Sequence, residues 1–245
     1  MNYTYTPIIQ PRPKSAALAK VGNMAHSCKA LGCNNQRTGL NAYCSTHQTI
    51  HQKYGHPHGR AVGIRNYSPY RAMVGAVFEA NPRHAGLSAA LAYVTSWIQQ
   101  SVANEGLSKA APHMARLHQH GITPLQILTE ACSLWCWLAA NSHLMPTVRA
   151  ENFALSRAVF ALAPWTRRYT AAANAKGSTG YAVRPNPSTL DAAGSILRDG
   201  LCNFFANVSS AVAARDKQAE ATLLAIQEPF KPPVAFYLAE AAGKT

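Results

Sequence analysis

Three cysteines and one histidine lie close together, as Cys28, Cys33, Cys44 and His47 in the run CKALGCNNQRTGLNAYCSTHQTIHQKYGHPHG. Four residues separate the first pair, ten span the loop and two separate the second pair. This spacing suits a tetrahedral ion, because each close pair clamps one edge while the loop folds the second pair back onto the first. Cys44 and His47 are three apart, so on a helix starting near Cys44 and continuing towards Tyr54 they share a face. Helix amides and Zn²⁺ both lower a thiol's pKa and favour thiolate ligands. Three thiolates and a neutral imidazole fill all four positions, so the expected centre is structural, one Zn²⁺ with no open coordination site. The surrounding loop is too polar to bury these cysteines in a core. His51, one turn beyond His47, is an alternative fourth ligand. His56 and His58 belong to the following turn, touch phosphate, or sit in a surface loop without a functional role.

The elements that must hold this cluster read as four regions. Residues 1–26 mix Pro7, Pro11 and Pro13 with basic residues, an extended or flexible arm. Residues 27–66 form the small metal module, residues 67–228 a helical domain, and residues 229–245, opening on Pro229, Pro232 and Pro233, a tail. In the helical domain, Ser68-Pro69 reads as a cap and first-position proline for a helix Tyr70 to Ala80. His84 to Asn104 carries Leu87, Leu91, Val94, Ile98 and Val102 as one apolar stripe. Thr123-Pro124 opens a helix to Asn141, and Thr147 caps another through Leu162. Ser188 with Asp191 predicts the start of a long helix to about Ala225, in which Gly194 and Gly200 allow a break. The fold class is therefore mainly α, a small treble-clef-like zinc module followed by a helical domain.

Charge points to partners. The chain has 245 residues and a formal charge of +13, although charged residues make up only 13% of it. No Asp or Glu precedes Glu79, whereas nine Lys or Arg do. A surface of one sign favours a polyanion such as nucleic acid. Arg12, Lys14, Arg37, Lys53, Arg60, Arg65 and Arg71 are the expected phosphate contacts of this region. Between Glu151 and Asp191 acids are again missing, and Arg157, Trp165, Arg167, Arg168, Tyr169, Lys176, Tyr181 and Arg184 interleave cations with aromatic rings. Either these rings and cations make a second nucleic-acid surface, with Arg167, Arg168, Tyr169, Lys176 and Arg184 on it, or Trp165 and Tyr169 anchor a helix end while the arginines cap its carbonyls.

Other features read as structure. Cys132, Trp135, Cys136 and Trp137 form an apolar patch expected in the core, as are Cys202, Phe204 and Phe205. Asp191 with Asp199, and Glu105 with Glu130, select no shared face for a carboxylate pair. Gly177-Ser178-Thr179-Gly180 lacks the lysine of a phosphate-binding loop and reads as a turn. The N-terminus lacks a secretory pattern, and the apolar stretch Ala131 to Met145 is too short and interrupted to span a bilayer. A reducing compartment is expected for the six cysteines.

The run from Cys28 through Gly32-Cys33, Tyr43-Cys44 and His47 to Tyr54-Gly55-His56-Pro57 resembles the short zinc-binding element near the N-termini of phage and homing HNH endonucleases and other phage DNA-associated proteins. It departs from that element in carrying Asn41-Ala42 where Arg-Gly is usual, and in a less basic helix. The resemblance covers about 33 residues and implies DNA association and a mobile-element origin. The nuclease itself needs a general-base His beside a metal-binding His on a ββα unit. His84, His113, His118, His120 and His143 sit in helical or interhelical contexts, so cleavage is not expected. The sequence thus leads to a zinc-containing, non-enzymatic nucleic-acid-binding protein of the bacterial host cytoplasm, with DNA the favoured partner. The alternatives are an adaptor or inhibitor of a host polymerase or nuclease, with a purely structural zinc site, and a divergent metal-dependent nuclease.

Overall fold

The computed structural model describes residues 22, 26–165, 167–168, 181–182 and 184–227, with backbone alone at 167–168, 181–182 and 219–227. Its elements in chain order are α1 (Ser45–Tyr54), α2 (Ile64–Ala80), α3 (Ala85–Ala103), α4 (Ala111–Gln119), α5 (Pro124–Ala140), a 3₁₀ turn (Ser142–Leu144), α6 (Val148–Phe160), β1 (Arg167–Arg168), β2 (Tyr181–Ala182) and α7 (Pro187–Gln227). The chain is mainly helical, with the Cys/His cluster in a small module ahead of the helical domain. Among the described residues no helix is long and apolar enough to cross a membrane.

α5 is the central helix and packs against α2, α3, α6 and α7. Its sequence explains that position. Ile127, Leu128, Ala131, Cys132, Leu134, Cys136, Trp137 and Leu138 are all buried, so it is apolar on more than one face, as a core helix must be. Thr123 caps it reciprocally: Gln126 N donates to Thr123 Oγ1 at 3.2 Å and Thr123 N to Gln126 Oε1 at 2.8 Å. Thr147 caps α6 without a reciprocal partner, accepting from Ala150 N at 3.1 Å.

Other expected boundaries are corrected. Ser68-Pro69 does not begin α2, because Pro69 lies inside it. Gly63 is the cap residue and its amide donates to Asn66 Oδ1 at 3.0 Å. The extra turn is held by burial of Tyr67, whose hydroxyl donates to Glu130 Oε1 at 2.6 Å. Those contacts outweigh the one backbone bond that Pro69 cannot make. The stripe on α3 rotates from the expected one: Trp97 and Ser101 are buried with Leu87, Val94 and Ile98, while Leu91 is half-buried and Val102 is 45% exposed. α4 was not anticipated; it buries Met114 and Leu117, and its buried Arg116 donates to the carbonyls of Phe160 and Pro164.

α7 begins at Asn186-Pro187 and not at Ser188. Asn186 Oδ1 accepts from Thr189 N at 2.8 Å, whereas Asp191 accepts from Asn152 Nδ2 at 3.0 Å and lies 3.7 Å from Arg149. No break occurs at Gly194 or Gly200. A Cβ on Gly194 would lie 2.0 Å from the Asn152 carbonyl oxygen, and one on Gly200 would lie 2.2 Å from the Tyr93 ring. Both glycines are places where another element touches the helix backbone, so their cost in helix propensity is offset by packing. Cys202 is exposed because Leu201 and Phe205, four apart, take the inward face. Cys132, Cys136 and Trp137 are buried as expected, and Trp135 stacks on Phe205 with centroids 5.2 Å apart.

His113 sits beside Phe160 with ring centroids 5.2 Å apart. Burial, and then the nearby Arg116 charge, hold its pKa below the ordinary histidine value. The unfolded chain therefore takes up a proton at a pH where the native chain refuses it. Stability from this site is complete above the ordinary histidine pKa and falls as the pH drops through the native one. The melting temperature should fall from about pH 7 to pH 5, and His113→Gln should make that fall shallower. Equal slopes for the two proteins would show that His113 is not the titrating group.

Candidate metal centre

The cluster is assembled from a tight hairpin and a helix start. Ser27 and Gln36 form an antiparallel bridge, with Cys28 N donating to Asn35 O at 2.8 Å and Arg37 N to His26 O at 3.1 Å. The turn within this hairpin carries Cys33, whose amide donates to Ala30 O at 3.1 Å. Cys28 and Cys33 therefore project from opposite ends of one turn. A second loop returns the chain, with Lys29 N donating to Ala42 O at 3.0 Å and Thr38 N to Tyr43 O at 3.2 Å. Cys44 then occupies the cap position of α1, in extended backbone geometry, and His47 follows in its first turn. The sulfur of Cys44 makes no cap hydrogen bond; it faces the other three ligating side chains.

Cys28 Sγ lies 3.5 Å from His47 Nδ1, Cys44 Sγ 3.4 Å from the same nitrogen, and Cys33 Sγ 3.9 Å from Cys44 Sγ. All four donor atoms lie within 4.8 Å of one another, close enough to bind one metal ion. The cysteines are free thiols, with sulfurs far beyond the roughly 2.05 Å of a disulfide. Cys28 accepts amide hydrogen bonds from Cys44 at 3.2 Å and Ala30 at 3.4 Å. Burial raises its pKa, but these amides, with His47 and Cys33, bring it down to about 6. At Cys33 the Asn35 amide pulls the other way from burial and the Cys28 and Cys44 sulfurs, and the balance raises the thiol. Without metal, Cys28 is therefore a readier thiolate than Cys33.

Cys28, Ala30 and Cys44 are buried, with Cys33 and Tyr43 packed on them, as a miniature core separate from the main one. His51 is outside the ligand group and rests against Tyr43, ring centroids 5.0 Å apart. His47, not His51, is the fourth member. His58 sets its ring edge towards His47 at 5.3 Å, and its amide donates to His56 Nδ1 at 3.2 Å, so both histidines shape the turn.

The other end of α1 enters the main core. Tyr54 is buried against Phe153 with ring centroids 5.0 Å apart, and Thr147 donates to the Tyr54 carbonyl. His47 and Tyr54 are two turns apart on one helix, so a single element links the ligand cluster to the helical domain.

The expected phosphate contacts divide. Arg60 and Arg65 are exposed, Lys53 is half-buried and Arg184 is exposed. Arg37 is half-buried and its Nε donates to Ser27 O at 2.9 Å, closing the hairpin. Arg71 is held by the buried carboxylate of Glu130 at 2.6 Å, so its charge is neutralised within the fold. Arg167 and Arg168 pair with Ala182 and Tyr181 in a two-residue antiparallel ladder that the sequence did not announce. Trp165 is half-buried against the core, with the Arg116 guanidinium 4.2 Å from its ring centre, which gives it an anchoring role. Arg12, Lys14, Tyr169, Lys176, the turn Gly177–Gly180 and the tail from 229 lie outside the described residues.

Sequence reasoning overlooked the convergence of Lys53, Phe153, Arg157, Trp165 and Arg184 on one cleft of about 470 Å³. The only prior signal was the acid-free, aromatic-rich run that starts at Arg157. No family model matches the chain, and no curated protein or solved structure matches it.

Proposed function

We propose that Cys28, Cys33, Cys44 and His47 hold one structural Zn²⁺, and that the chain is a nucleic-acid-binding protein of phage or mobile-element type acting non-enzymatically on DNA or on a DNA- or RNA-processing machine in a bacterial cytoplasm. The donor spacing supports zinc. Bonds of about 2.3 Å to sulfur and 2.0 Å to nitrogen, at tetrahedral angles, place sulfurs about 3.8 Å apart and sulfur about 3.5 Å from nitrogen. The Cys33 and Cys44 sulfurs lie 3.9 Å apart, the Cys28 and Cys44 sulfurs lie 3.5 and 3.4 Å from His47 Nδ1, and all four donor atoms lie within 4.8 Å of one another. Three thiolates and a neutral imidazole leave one net negative charge on the centre and no position for substrate, so the ion's contribution is to fix the hairpin on α1.

The nucleic-acid reading is carried by one observation: the module presents Lys29, Lys53, Arg60 and Arg65 with no acidic residue anywhere before Glu79. Among the described residues these four make no ion pair. Cations fixed on a rigid scaffold and free of internal partners neutralise phosphates and release counterions. The resemblance of the Cys28–Pro57 run to phage zinc elements favours DNA as the polymer.

Duplex DNA binding should therefore weaken steeply with salt, with log K falling against log salt at a slope of about −3 to −5. Arg60→Gln with Arg65→Gln should make that slope shallower by about 2, with little change in sequence preference. Absence of binding to duplex DNA, single-stranded DNA and RNA at low salt would dispose of this reading. The adaptor alternative has its own support, since Leu31 is 89% and Leu40 66% exposed on the module's two loops. Capture of a polymerase or nuclease through those leucines, without any nucleic-acid shift, would establish it instead.

A further inference from the structure

The cleft beside α1 has walls of three origins. Lys53 and Tyr54 come from the last turn of α1, Phe153 and Arg157 from α6, and Trp165 and Arg184 from the segments that leave α6 and enter α7. Its volume of about 470 Å³ falls in the range of small-ligand pockets, roughly 300–1,000 Å³.

Its chemistry is one-sided. Lys53, Arg157 and Arg184 contribute three cations, and among the described residues no carboxylate lines the cleft. Among the described residues none of the three is in an ion pair. The nearest acid along α7, Asp191, is engaged by Asn152 and Arg149. The same cleft is lined by three aromatic side chains, Tyr54, Phe153 and Trp165. Tyr54 and Phe153 already meet edge to face, and Trp165 is held by Arg116, so the aromatic part of the wall is preorganised.

A half-open cleft with cations and aromatic rings suits a ligand that joins a phosphate to a flat ring. Phosphate alone would not need the rings, and a duplex keeps its bases stacked inside. We infer that this cleft binds a single unpaired nucleotide, its phosphate against Arg157, Arg184 and Lys53 and its base against the aromatic wall. The inference rests on the nucleic-acid reading and adds a preference within it: the module's outer cations hold the strand backbone, and the cleft takes a base that has left the stack. Zinc matters here because it orients α1, which supplies one wall.

The test uses the full chain with a short labelled oligothymidylate, a duplex of the same length and free thymidine monophosphate. Arg157→Gln with Arg184→Gln alters two exposed side chains, and an unchanged melting temperature would verify the fold. The double variant should lose about tenfold in affinity for the single strand and much less for the duplex. Quenching of tryptophan emission by the oligothymidylate should diminish in parallel. If the duplex and the single strand weaken equally, or if the single strand is unaffected while the duplex still binds, the cleft inference is overturned and the nucleic-acid reading stands. If thymidine monophosphate binds as tightly as the strand while neither polymer binds better, the cleft is a free-nucleotide site and the nucleic-acid reading fails. If none of the three probes binds, both fail.

Discussion

Cys44→Ser is expected to abolish stoichiometric metal binding and to unfold the module while leaving the helical domain standing. Cys44 is one of the four proposed ligands, the cap residue of α1 and one of three buried members of the miniature core. That core, Cys28, Ala30 and Cys44 with Cys33 and Tyr43 against them, is far too small to stay folded without a cross-link. A structural zinc ion contributes on the order of 10 kcal/mol or more of apparent binding energy to such a unit. Metal content should drop from about one ion per chain to near zero, and limited proteolysis should open the hairpin between residues 26 and 44. The main core is built mostly from α2 to α7, with only Tyr54 and Ile50 of α1 reaching it, so most of the helical circular dichroism should persist. His51→Ala is the matched control and should keep its metal, because His51 packs on Tyr43 outside the ligand group. A Cys44→Ser protein with full metal content and an unchanged digestion pattern would refute the ligand assignment.

Gly194→Ala should be the most damaging single-methyl change in the helical domain. The new Cβ would stand 2.0 Å from the Asn152 oxygen and 2.4 Å from its carbonyl carbon, both backbone atoms of α6 that cannot rotate away. The helices must separate, which also disturbs the hydrogen bond of Ser156 to the Leu190 carbonyl, 2.6 Å, and that of Asn152 to Asp191. Overpacking of this severity costs about 3 kcal/mol or more, which for a chain of this size lowers the melting temperature by roughly 6–12 °C. Gly75→Ala in α2 is the contrasting case, since a Cβ there meets nothing within 4 Å. It should raise stability by about 0.5–1 kcal/mol through helix propensity. A Gly194→Ala protein that melts with the parent would mean that α6 and α7 are not in backbone contact at this point.

These two glycines also show what a one-dimensional reading loses. In sequence, Gly194 and Gly200 argue for a break in a long helix, because propensity is all that can be read locally. Their purpose becomes visible only when Asn152 and Tyr93, distant in the chain, arrive against the helix backbone. Pro69 repeats the lesson with the opposite sign. A proline after serine reads as a helix start, yet the turn before it is held by Tyr67 reaching Glu130, sixty-three residues away. Where capping chemistry is local, at Thr123 and Thr147, the starts were legible because cap donor and acceptor are three residues apart.

The ligand group was legible for the same reason. Cys44 and His47 are joined by one helical turn, and Cys28 and Cys33 by one hairpin, so spacing alone restricts where their side chains go. The charge pattern was legible as a bias but not as a surface. Arg71 and Arg37 look like Arg60 and Arg65 in sequence, and only folding commits the first to Glu130 and the second to the Ser27 carbonyl. The cleft was the least legible feature. Lys53 and Arg157 are about a hundred residues apart, and no local rule brings them together.

The proposed roles of the module all depend on Cys28, Cys33, Cys44 and His47 holding one tetrahedral zinc ion. Zinc K-edge X-ray absorption on the full chain, purified without added metal, tests it most directly. One zinc per chain is expected, with three sulfur neighbours at about 2.3 Å and one nitrogen at about 2.0 Å. A chain without zinc, or zinc surrounded only by oxygen and nitrogen, would contradict it.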